Sequence, residues 1–400
     1  MYRFPVQARQ SHTKKIIINL FLYTETDIII LMLKMSLFIL LSIVLSLISM
    51  PIIIHFCNKH NLYDYQDARK IHSGNISRLG GVGIAFAFTT AAALYLIFNT
   101  QLSTMKSLPI LIAGLIIFGF GLLDDILTLP VIVKLIVQLA ASALVTFNGY
   151  RFTQIFGWVL PIPISYILTF GWIVGVINAY NLIDGLDGLC GSLSFSAVVT
   201  LGVLYSLSSN MEAGLCFILA GAILGFLCFN WPPAKLFMGD DGSQFLGFMV
   251  ATIPLYSSSD IFEYNKFLIM LILTAFPVFD TIAAIWRRLR DKRPIMSPDR
   301  SHLHHKLLNI GYTKRQALRL IVFIQILLCT MVILSFFIGK LKGTAMLLEG
   351  FIFMVIFFSV IHYTNRAINR KKLAEEIAAI DGRELPKQEE ASFNEITANK

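Results

Sequence analysis

Long apolar runs alternate with short polar stretches along almost the whole chain. A helix needs roughly 17–25 apolar residues to cross a bilayer, and eleven runs approach or reach that length. They cover 28–56, 79–99, 108–123, 131–149, 163–180, 188–208, 214–229, 244–257, 265–285, 318–338 and 346–362. The pattern predicts an all-α fold, a polytopic transmembrane helical bundle of about 11 spans.

These spans define one predicted transmembrane domain over residues 28–362. Residues 1–27 form a leader of doubtful standing, because they mix basic residues with a weak apolar stretch and lack a small-residue cleavage site. Met32 and Met35 are alternative starts. Residues 363–400 are charged and predict a tail whose first part is helical and whose end is disordered.

Composition places the chain among membrane proteins. It is 56% hydrophobic and only 14% charged, whereas soluble domains carry roughly 25% charged residues. A net charge of +9 would suggest nucleic acid in a soluble protein. Here the basic residues flank apolar runs, where they orient helices and contact anionic lipid, so no nucleic-acid partner is expected. The five cysteines match no disulfide or zinc framework.

Lysine and arginine predict the orientation of the bundle. The polar stretches on one side, from 57–78 to 363–400, carry 22 of these residues, and the opposite side carries five, or nine with the leader. Loops rich in lysine and arginine are cytoplasmic. We therefore predict that the N-terminus lies outside and that the C-terminus is cytoplasmic.

Five polar clusters interrupt the apolar pattern, and all of them fall on the basic side. The first, 67–83, places Lys70 before a glycine-rich helix start, which suits a phosphate but also resembles an ordinary basic flank. The second is the pair Asp124 and Asp125, which fits a hard cation, a shared proton or a plain helix end. Polar groups at membrane depth are costly and usually functional.

The third cluster, 178–188, repeats a polar residue at every third position. Asn178, Asn181, Asp184 and Asp187 form this series. Positions three apart are neighbours on a helix, although the series drifts around the axis. Amides can bind a base or a sugar, and carboxylates can bind a metal or hydroxyl groups.

The fourth cluster, 237–243, places Asp240 and Asp241 between glycines, and we predict a tight loop that lets the backbone approach a ligand. A plain Asp-Gly turn is the alternative. Asp280 stands apart from the clusters. Its alternative role is a pair with Arg287, seven residues further along the same helix face.

The fifth cluster lies in the most basic loop and contains Arg300, His302, His304 and His305. Three histidines could bind zinc, but no thiolate accompanies them, and the acids elsewhere favour a hard ion. Donation to phosphate oxygens fits better, with Arg300 as a bidentate donor. Thr313 and Gln316 predict a capping box that opens the next helix.

Together the clusters suggest phosphoryl transfer from a nucleotide. The acids would serve a divalent cation, the basic residues and histidines would bind phosphates, and the amides would bind a base. The position of the clusters at a membrane boundary suggests a lipid as the second substrate.

With these motifs the sequence resembles the polyprenyl-phosphate N-acetylhexosamine-1-phosphate transferases, a superfamily that includes the phospho-MurNAc-pentapeptide transferases. The resemblance extends from about residue 45 to about residue 340. Four motifs carry it in the family's order, namely Gly121–Asp125, Asn178–Gly188, Phe237–Ser243 and Ser297–His305. The His-x-His-His pattern at the end differs from the three adjacent histidines of the MurNAc branch. It resembles the branch that transfers GlcNAc-1-phosphate.

The resemblance implies a reaction, a cofactor and a location. In the family, undecaprenyl phosphate attacks the β-phosphate of a UDP-sugar and UMP leaves, which starts a cell-surface glycan such as an O-antigen or a teichoic acid. It also implies Mg²⁺, which Mn²⁺ could replace, and a multi-pass protein of the bacterial inner membrane with a cytoplasmic active site.

The resemblance also implies roles for individual residues. The candidate catalytic residues are Asp124, Asp125, Asp184 and Asp187. Asp124 and Asp125 would position or deprotonate the lipid phosphate, and Asp240 would ligate the metal. The candidate substrate-binding residues, for the uridine end and for the phosphates, are Lys70, Asn178, Asn181, Arg300, His302, His304 and His305.

Two alternatives remain at the level of the sequence. The same reaction could use another UDP-N-acetylated sugar. An ion-coupled transporter would also place carboxylates in membrane helices, but transporter sites lie near the midplane between repeats, and this chain has acids at span ends and no repeat. The sequence leaves the oligomeric state open, a homodimer included.

Overall fold

The computed structural model describes residues 25–63, 76–99, 104–208, 212–255, 260–294 and 302–381, and helices account for most of them. The helices are α1 Glu25–His60, α2 Gly80–Phe98, α3 Thr104–Leu127, α4 Val131–Phe147, α5 Ile162–Ile183, α6 Leu189–Leu207, α7 Ala213–Asn230, α8 Gly239–Thr252, α9 Asp260–Leu273, α10 Ala275–Arg290, α11 Leu303–Ile310, α12 Lys314–Phe337 and α13 Lys340–Asp381. A small antiparallel hairpin of β1 Gln154–Ile155 and β2 Trp158–Val159 connects α4 to α5. The prediction of an all-α fold is confirmed.

Eight of the described helices are long and apolar enough to cross a membrane. They are α1, α2, α3, α5, α6, α7, α12 and α13. Helices α9 and α10 are bent by 68° at their junction and would add a ninth crossing as one broken span. The apolar helices α4 and α8 are shorter. Each of the eleven predicted runs overlaps a described helix, and the number of crossings remains a prediction.

Helices α6 and α7 form the centre of the bundle, with 72% and 78% of their most apolar windows buried. In α1 and α13 the corresponding share is only 22% and 17%, so these helices present most of their apolar surface outwards, as lipid-facing helices do. The last helix, α13, runs without a break past the predicted start of the tail at residue 363. The predicted helical part of the tail is confirmed as far as Asp381.

Small residues bring α1 and α7 into close contact. The hydroxyls of Ser42 and Ser46 donate hydrogen bonds to the carbonyls of Ile218 and Ala222, each over 2.8 Å. A Cβ at Gly225 would lie 2.5 Å from the Cβ of Ser46. This arrangement of small residues four apart is typical of membrane helices that pack through their backbones.

The glycine-rich start of α2 packs against the segment before α8. The amides of Gly80 and Gly81 donate to the carbonyls of Phe237 and Met238 over 2.9 and 2.8 Å. Of the two alternatives for this glycine-rich helix start, these contacts favour a structural role, because the chain itself uses both donors. The contact instead fixes the start of α8.

We predict that Gly225→Ala destabilises the protein and that Gly171→Ala does not. The new methyl group at 225 would overlap Ser46, and overpacking of this kind costs about 1–3 kcal/mol. A Cβ at Gly171, also within a helix, would have no neighbour within 4 Å. Thermal unfolding of both variants in the same detergent measures the difference. A Gly225→Ala variant that melts at or above the temperature of Gly171→Ala would contradict the prediction.

Candidate active site

The described parts of all five polar clusters meet at one end of the bundle, which we call the site end. Asp125 accepts a hydrogen bond from the backbone of Asp241, and Asn181 donates to Ser243. His304 packs against Gly185, where an added Cβ would lie 2.6 Å from the imidazole ring. Clusters separated by up to about 200 positions in the sequence therefore form a single site.

Four carboxylates gather where the last turns of α3 meet the first turn of α8, and we call this group the acidic centre. It contains Asp124, Asp125, Asp240 and Asp241. The amide of Asp241 donates to Oδ2 of Asp125 over 2.9 Å. The prediction of a tight loop around Asp240 is wrong, because α8 begins at Gly239. Acids in the first turn of a helix are stabilised by the positive end of the helix dipole.

The close approach of α3 and α8 depends on Gly121. A Cβ there would lie 2.6 Å from the Cα of Asp241, so any larger residue would separate the two helices. Gly239 has a φ of +83°, a backbone conformation that other residues rarely adopt. These two glycines explain why the acidic motifs on α3 and α8 are both flanked by glycine.

Asp241 is completely buried, and neither of its carboxylate oxygens accepts a hydrogen bond. Burial and the nearby carboxylate of Asp125 raise the pKa of Asp241 well above its usual range. The side chain of Asp240 is 40% exposed. Its partial removal from water and the nearby carboxylate of Asp125 raise the pKa of Asp240 to about 7. The acidic centre thus holds more negative charge than the protein around it balances, so it would attract a cation.

Lys134 on α4 places a positive charge at the acidic centre. Its ammonium forms an ion pair with Asp124 and lies 3.8 Å from Oδ2 of Asp240. The sequence has no basic residue directly beside the Asp124–Asp125 pair, and the fold supplies one from α4. The signal was present in the sequence, since a lysine inside an apolar run is costly and usually has a role.

A small groove between α3, α4 and α8 is lined by this ion pair. Asp124, Lys134, Gln138 and Gln244 provide polar lining. The remaining walls are apolar and consist of Ile117, Phe120, Leu129 and Val137. The groove therefore offers charged groups at one place and hydrocarbon surface beside them.

A chain of amide side chains connects α5, α4 and α8. Asn178 donates to Gln138 over 2.7 Å, and Gln138 donates to Gln244 over 3.2 Å. Asn181 donates to Ser243 over 3.2 Å. The two predicted asparagines lie at the site, and each also forms a hydrogen bond to a neighbouring helix, Asn178 to α4 and Asn181 to α8. Gln138, Gln244 and Ser243 escaped the sequence analysis because single amides and hydroxyls in a span carry no distinctive pattern.

Asp184 and Asp187 follow the end of α5. Asp184 is half-buried, and Asp187 is buried with its Oδ2 accepting the amide of Ala234 over 3.1 Å. Next to it, the amide of Gly188 donates to the side chain of Asn230 over 2.8 Å. Asp187 therefore anchors the connection between α7 and α8. A catalytic role for either acid stays a prediction.

The histidine cluster is fixed by a buried carboxylate on α10. Oδ2 of Asp280 lies 2.9 Å from Nδ1 of His302, and Oδ1 accepts the amide of Leu303 over 2.9 Å. Asp280 thus orients one imidazole and caps the start of α11. The sequence singled out Asp280 but not its partner, because the 22 positions between them are bridged only by the fold.

The other two histidines follow on α11. His304 is buried, and burial together with His305 lowers the pKa of His304 to about 3. It is therefore neutral at pH 7 and can donate only one ring N–H at a time. The rings of His304 and His305 lie 4.3 Å apart between centroids. The predicted capping box of Thr313 and Gln316 at the start of α12 is confirmed.

Two predicted binding residues, Lys70 and Arg300, lie outside the described residues. Within the described ranges, no group of three or more histidine, cysteine or acidic side chains converges as a ready metal cage. Mg²⁺ commonly uses one or two carboxylates and completes its coordination with water and substrate phosphates. The unsatisfied oxygens of the acidic centre fit an ion bound in that way.

Comparison with known proteins identifies the family of the chain. Residues 107–258 match the family model described as glycosyl transferase family 4. A probable undecaprenyl-phosphate N-acetylglucosaminyl 1-phosphate transferase of Bacillus subtilis is 33% identical, over 82% of this chain and 92% of the relative. The undecaprenyl-phosphate alpha-N-acetylglucosaminyl 1-phosphate transferases of Yersinia pestis and Escherichia coli K12 are 34% and 31% identical. These matches cover 68% and 75% of this chain, and 76% and 83% of the relatives.

The matched region contains the acidic centre, the amide chain and the anchor of the α7–α8 connection. The resemblance that the motifs suggested is confirmed. The chain belongs to the family of the polyprenyl-phosphate N-acetylglucosamine-1-phosphate transferases, within glycosyl transferase family 4.

Proposed function

We propose that the protein transfers GlcNAc-1-phosphate from UDP-GlcNAc to undecaprenyl phosphate and releases UMP, as the first membrane step of a cell-surface glycan. The names of the relatives support the reaction class, the acceptor lipid and the sugar. One structural observation carries the proposal. The unbalanced acidic centre, with Lys134 beside it, lies at the polar end of an apolar groove.

The groove suits the acceptor because a polyprenyl phosphate combines a hydrocarbon chain with a charged head. Apolar walls would hold the first isoprene units, and Lys134 would bind the phosphate as a point charge. Since Lys134 is only 30% exposed, its attraction for an anion is screened less than at an open surface. Asp124 competes for the same ammonium and would keep it oriented before the lipid arrives.

In the proposed reaction, an oxygen of the lipid phosphate forms a bond to the β-phosphorus of the nucleotide. The bond from that phosphorus to the bridging oxygen breaks, and UMP leaves with this oxygen. A phosphate monoester has a second pKa near 6, so the attacking oxygen is largely ionised at pH 7. Asp125 is therefore needed for positioning more than for removing a proton.

We assign Asp240 as the carboxylate that binds Mg²⁺, with Mn²⁺ as a substitute. It is the most exposed carboxylate of the acidic centre, and it lies close to Asp124 and Asp125. When bound, the ion would neutralise charge on the diphosphate and on the departing UMP. Asp241 is buried behind it and does not reach the substrate.

The histidine cluster and the end of α5 would bind the nucleotide. His302, oriented by Asp280, and His305 can donate to diphosphate oxygens, together with Arg300 and Lys70. Neutral His304 packs on Gly185 and so holds α11 against the residues around Asp184. Asn181, Asp184 and Asp187 would lie near uridine and ribose.

We place the protein in the bacterial inner membrane with its site end in the cytoplasm. The excess of 22 over five lysine and arginine residues supports this orientation. UDP-sugars are cytoplasmic metabolites, which requires the same orientation of the site. The orientation puts the β1–β2 hairpin on the outer side.

The first test is turnover by purified protein. With undecaprenyl phosphate and Mg²⁺, we expect UMP release from UDP-GlcNAc and accumulation of a lipid-linked GlcNAc-diphosphate. A panel of UDP-N-acetylated sugars, including UDP-GalNAc, tests the choice of sugar. Lack of UMP release from every sugar would contradict the proposed reaction, and faster release from another sugar would correct the donor alone.

We predict that Asp240→Asn lowers kcat by roughly two orders of magnitude or more, the scale expected when a positioned electrostatic group is lost. An amide keeps the shape of the carboxylate but cannot balance a divalent cation. Activity of the unchanged protein should vanish in excess EDTA and return with Mg²⁺ or Mn²⁺. Glu376→Gln, on the exposed end of α13, is the control and should retain normal turnover.

Near-normal turnover of Asp240→Asn at low Mg²⁺ would show that another carboxylate binds the ion. Full activity of the unchanged protein in EDTA would exclude a required metal.

The third test addresses orientation. Lys235 and Arg315 are exposed at the site end, and Val159 is 72% exposed on the β1–β2 hairpin. In a cysteine-free background, an impermeant thiol reagent should label Val159→Cys in intact cells. It should label Lys235→Cys and Arg315→Cys only after permeabilisation. The reverse pattern would show that the site faces outwards.

A further inference from the structure

The last helix is much longer than a membrane crossing requires. Helix α13 has 42 residues, which corresponds to about 63 Å at a rise of 1.5 Å per residue, whereas a hydrocarbon core is about 30 Å thick. Its apolar stretch ends near His362, and the following turns are polar and basic. These turns project from the site end of the bundle beside α11.

One face of this projection binds α11 through side chains. Asn309, near the end of α11, donates to Asn365 over 2.8 Å and to Asn369 over 2.7 Å. Lys372 donates to Oδ1 of Asn309 over 2.8 Å. Positions 365, 369 and 372 follow the spacing of one helix face. We call this contact the Asn309 clamp.

Helix α13 also supports the start of α11, through contacts with α10. The ring of Phe279 on α10 lies 5.4 Å from that of Phe351 and 5.5 Å from that of Phe358, both on α13. The residue after Phe279 is Asp280, which orients His302 and caps α11. Helix α13 therefore fixes α11 at its end directly and at its start through α10.

We propose that the Asn309 clamp is a positioning device for the histidine cluster and that it sets the affinity of the site for the sugar nucleotide. This inference rests on the proposed function, in which the histidines bind the diphosphate. The clamp residues themselves touch no reacting group.

The length of α11 explains why a clamp is needed. The helix has eight residues, and isolated helices shorter than about 12–15 residues are marginal in water. Its position therefore depends on its anchors. His304 has no spare space against Gly185, so a tilt of α11 would move all three imidazoles relative to the acidic centre. An exposed contact such as Lys372 to Asn309 adds little to global stability, but it defines the angle of the helix.

The test measures steady-state kinetics of Asn309→Ala and Lys372→Ala in the full-length protein. We expect the KM for UDP-GlcNAc to rise about three- to tenfold, which is the effect of losing one or two hydrogen bonds that position a binding group. The KM for undecaprenyl phosphate and the melting temperature should stay close to those of the unchanged protein. Calorimetric titration with UMP should show a weaker Kd by a similar factor.

Two control variants isolate the clamp. Lys371→Ala removes the same charge from the neighbouring position, where the side chain pairs with Glu375 on α13 itself, and should leave the KM unchanged. Lys372→Arg keeps a donor and should restore most of the affinity. A purely structural contact would lower the melting temperature and the amount of active protein without changing the KM.

Unchanged KM and UMP affinity in Lys372→Ala, or an equal change in Lys371→Ala, would overturn the inference. Should Asn309→Ala fail to fold, Lys372→Ala decides alone, because its side chain lies at the exposed surface. Lack of UMP release by the unchanged protein would instead overturn the proposed function. The titration with UMP would then still report on the clamp.

Discussion

The structure depends on four carboxylates that are held together where α3 meets α8. Neighbouring like charges repel strongly in a medium of low dielectric constant. The fold must therefore hold the four carboxylates together and supply groups that compensate their negative charge. It does so with the first turn of α8, whose amide at Asp241 donates to Asp125, and with Lys134, which pairs with Asp124. The remaining negative charge is what makes the centre suitable for a divalent cation.

Close helix packing is the condition for this arrangement. Gly121 lets α3 approach the backbone of α8, and Gly80 and Gly81 donate their amides to the segment just before it. Farther from the site, the serines of α1 and the glycines of α7 make a similar contact. Because lipid is as apolar as the helices, no hydrophobic driving force brings membrane helices together, and they associate through such small residues and polar contacts. The glycines are therefore a structural requirement of the acidic centre.

Much of the fold could be predicted because the positions and lengths of the apolar runs can be read directly along the sequence. Each apolar run overlaps a helix, and the described parts of the five clusters lie at one end. What the sequence could not supply is the pairing between helices. It offered no reason to connect Lys134 with Asp124, or Asp280 with His302, since these contacts depend on which faces of the helices meet. It also left the role of the amides of Gly80 and Gly81 open, because a glycine-rich helix start looks the same whether it binds a ligand or a carbonyl.

The site therefore combines two kinds of support. The acidic centre is part of the packed interior of the bundle, where Gly121 of α3 lies directly against the backbone of α8. The histidines are carried by one short helix, held by Asp280 at its start and by α13 at its end. A transferase must hold the attacking phosphate and the metal in fixed geometry, yet must admit and release a nucleotide in every cycle. A packed acidic centre beside a short histidine helix that is positioned by contacts from its neighbours meets both requirements.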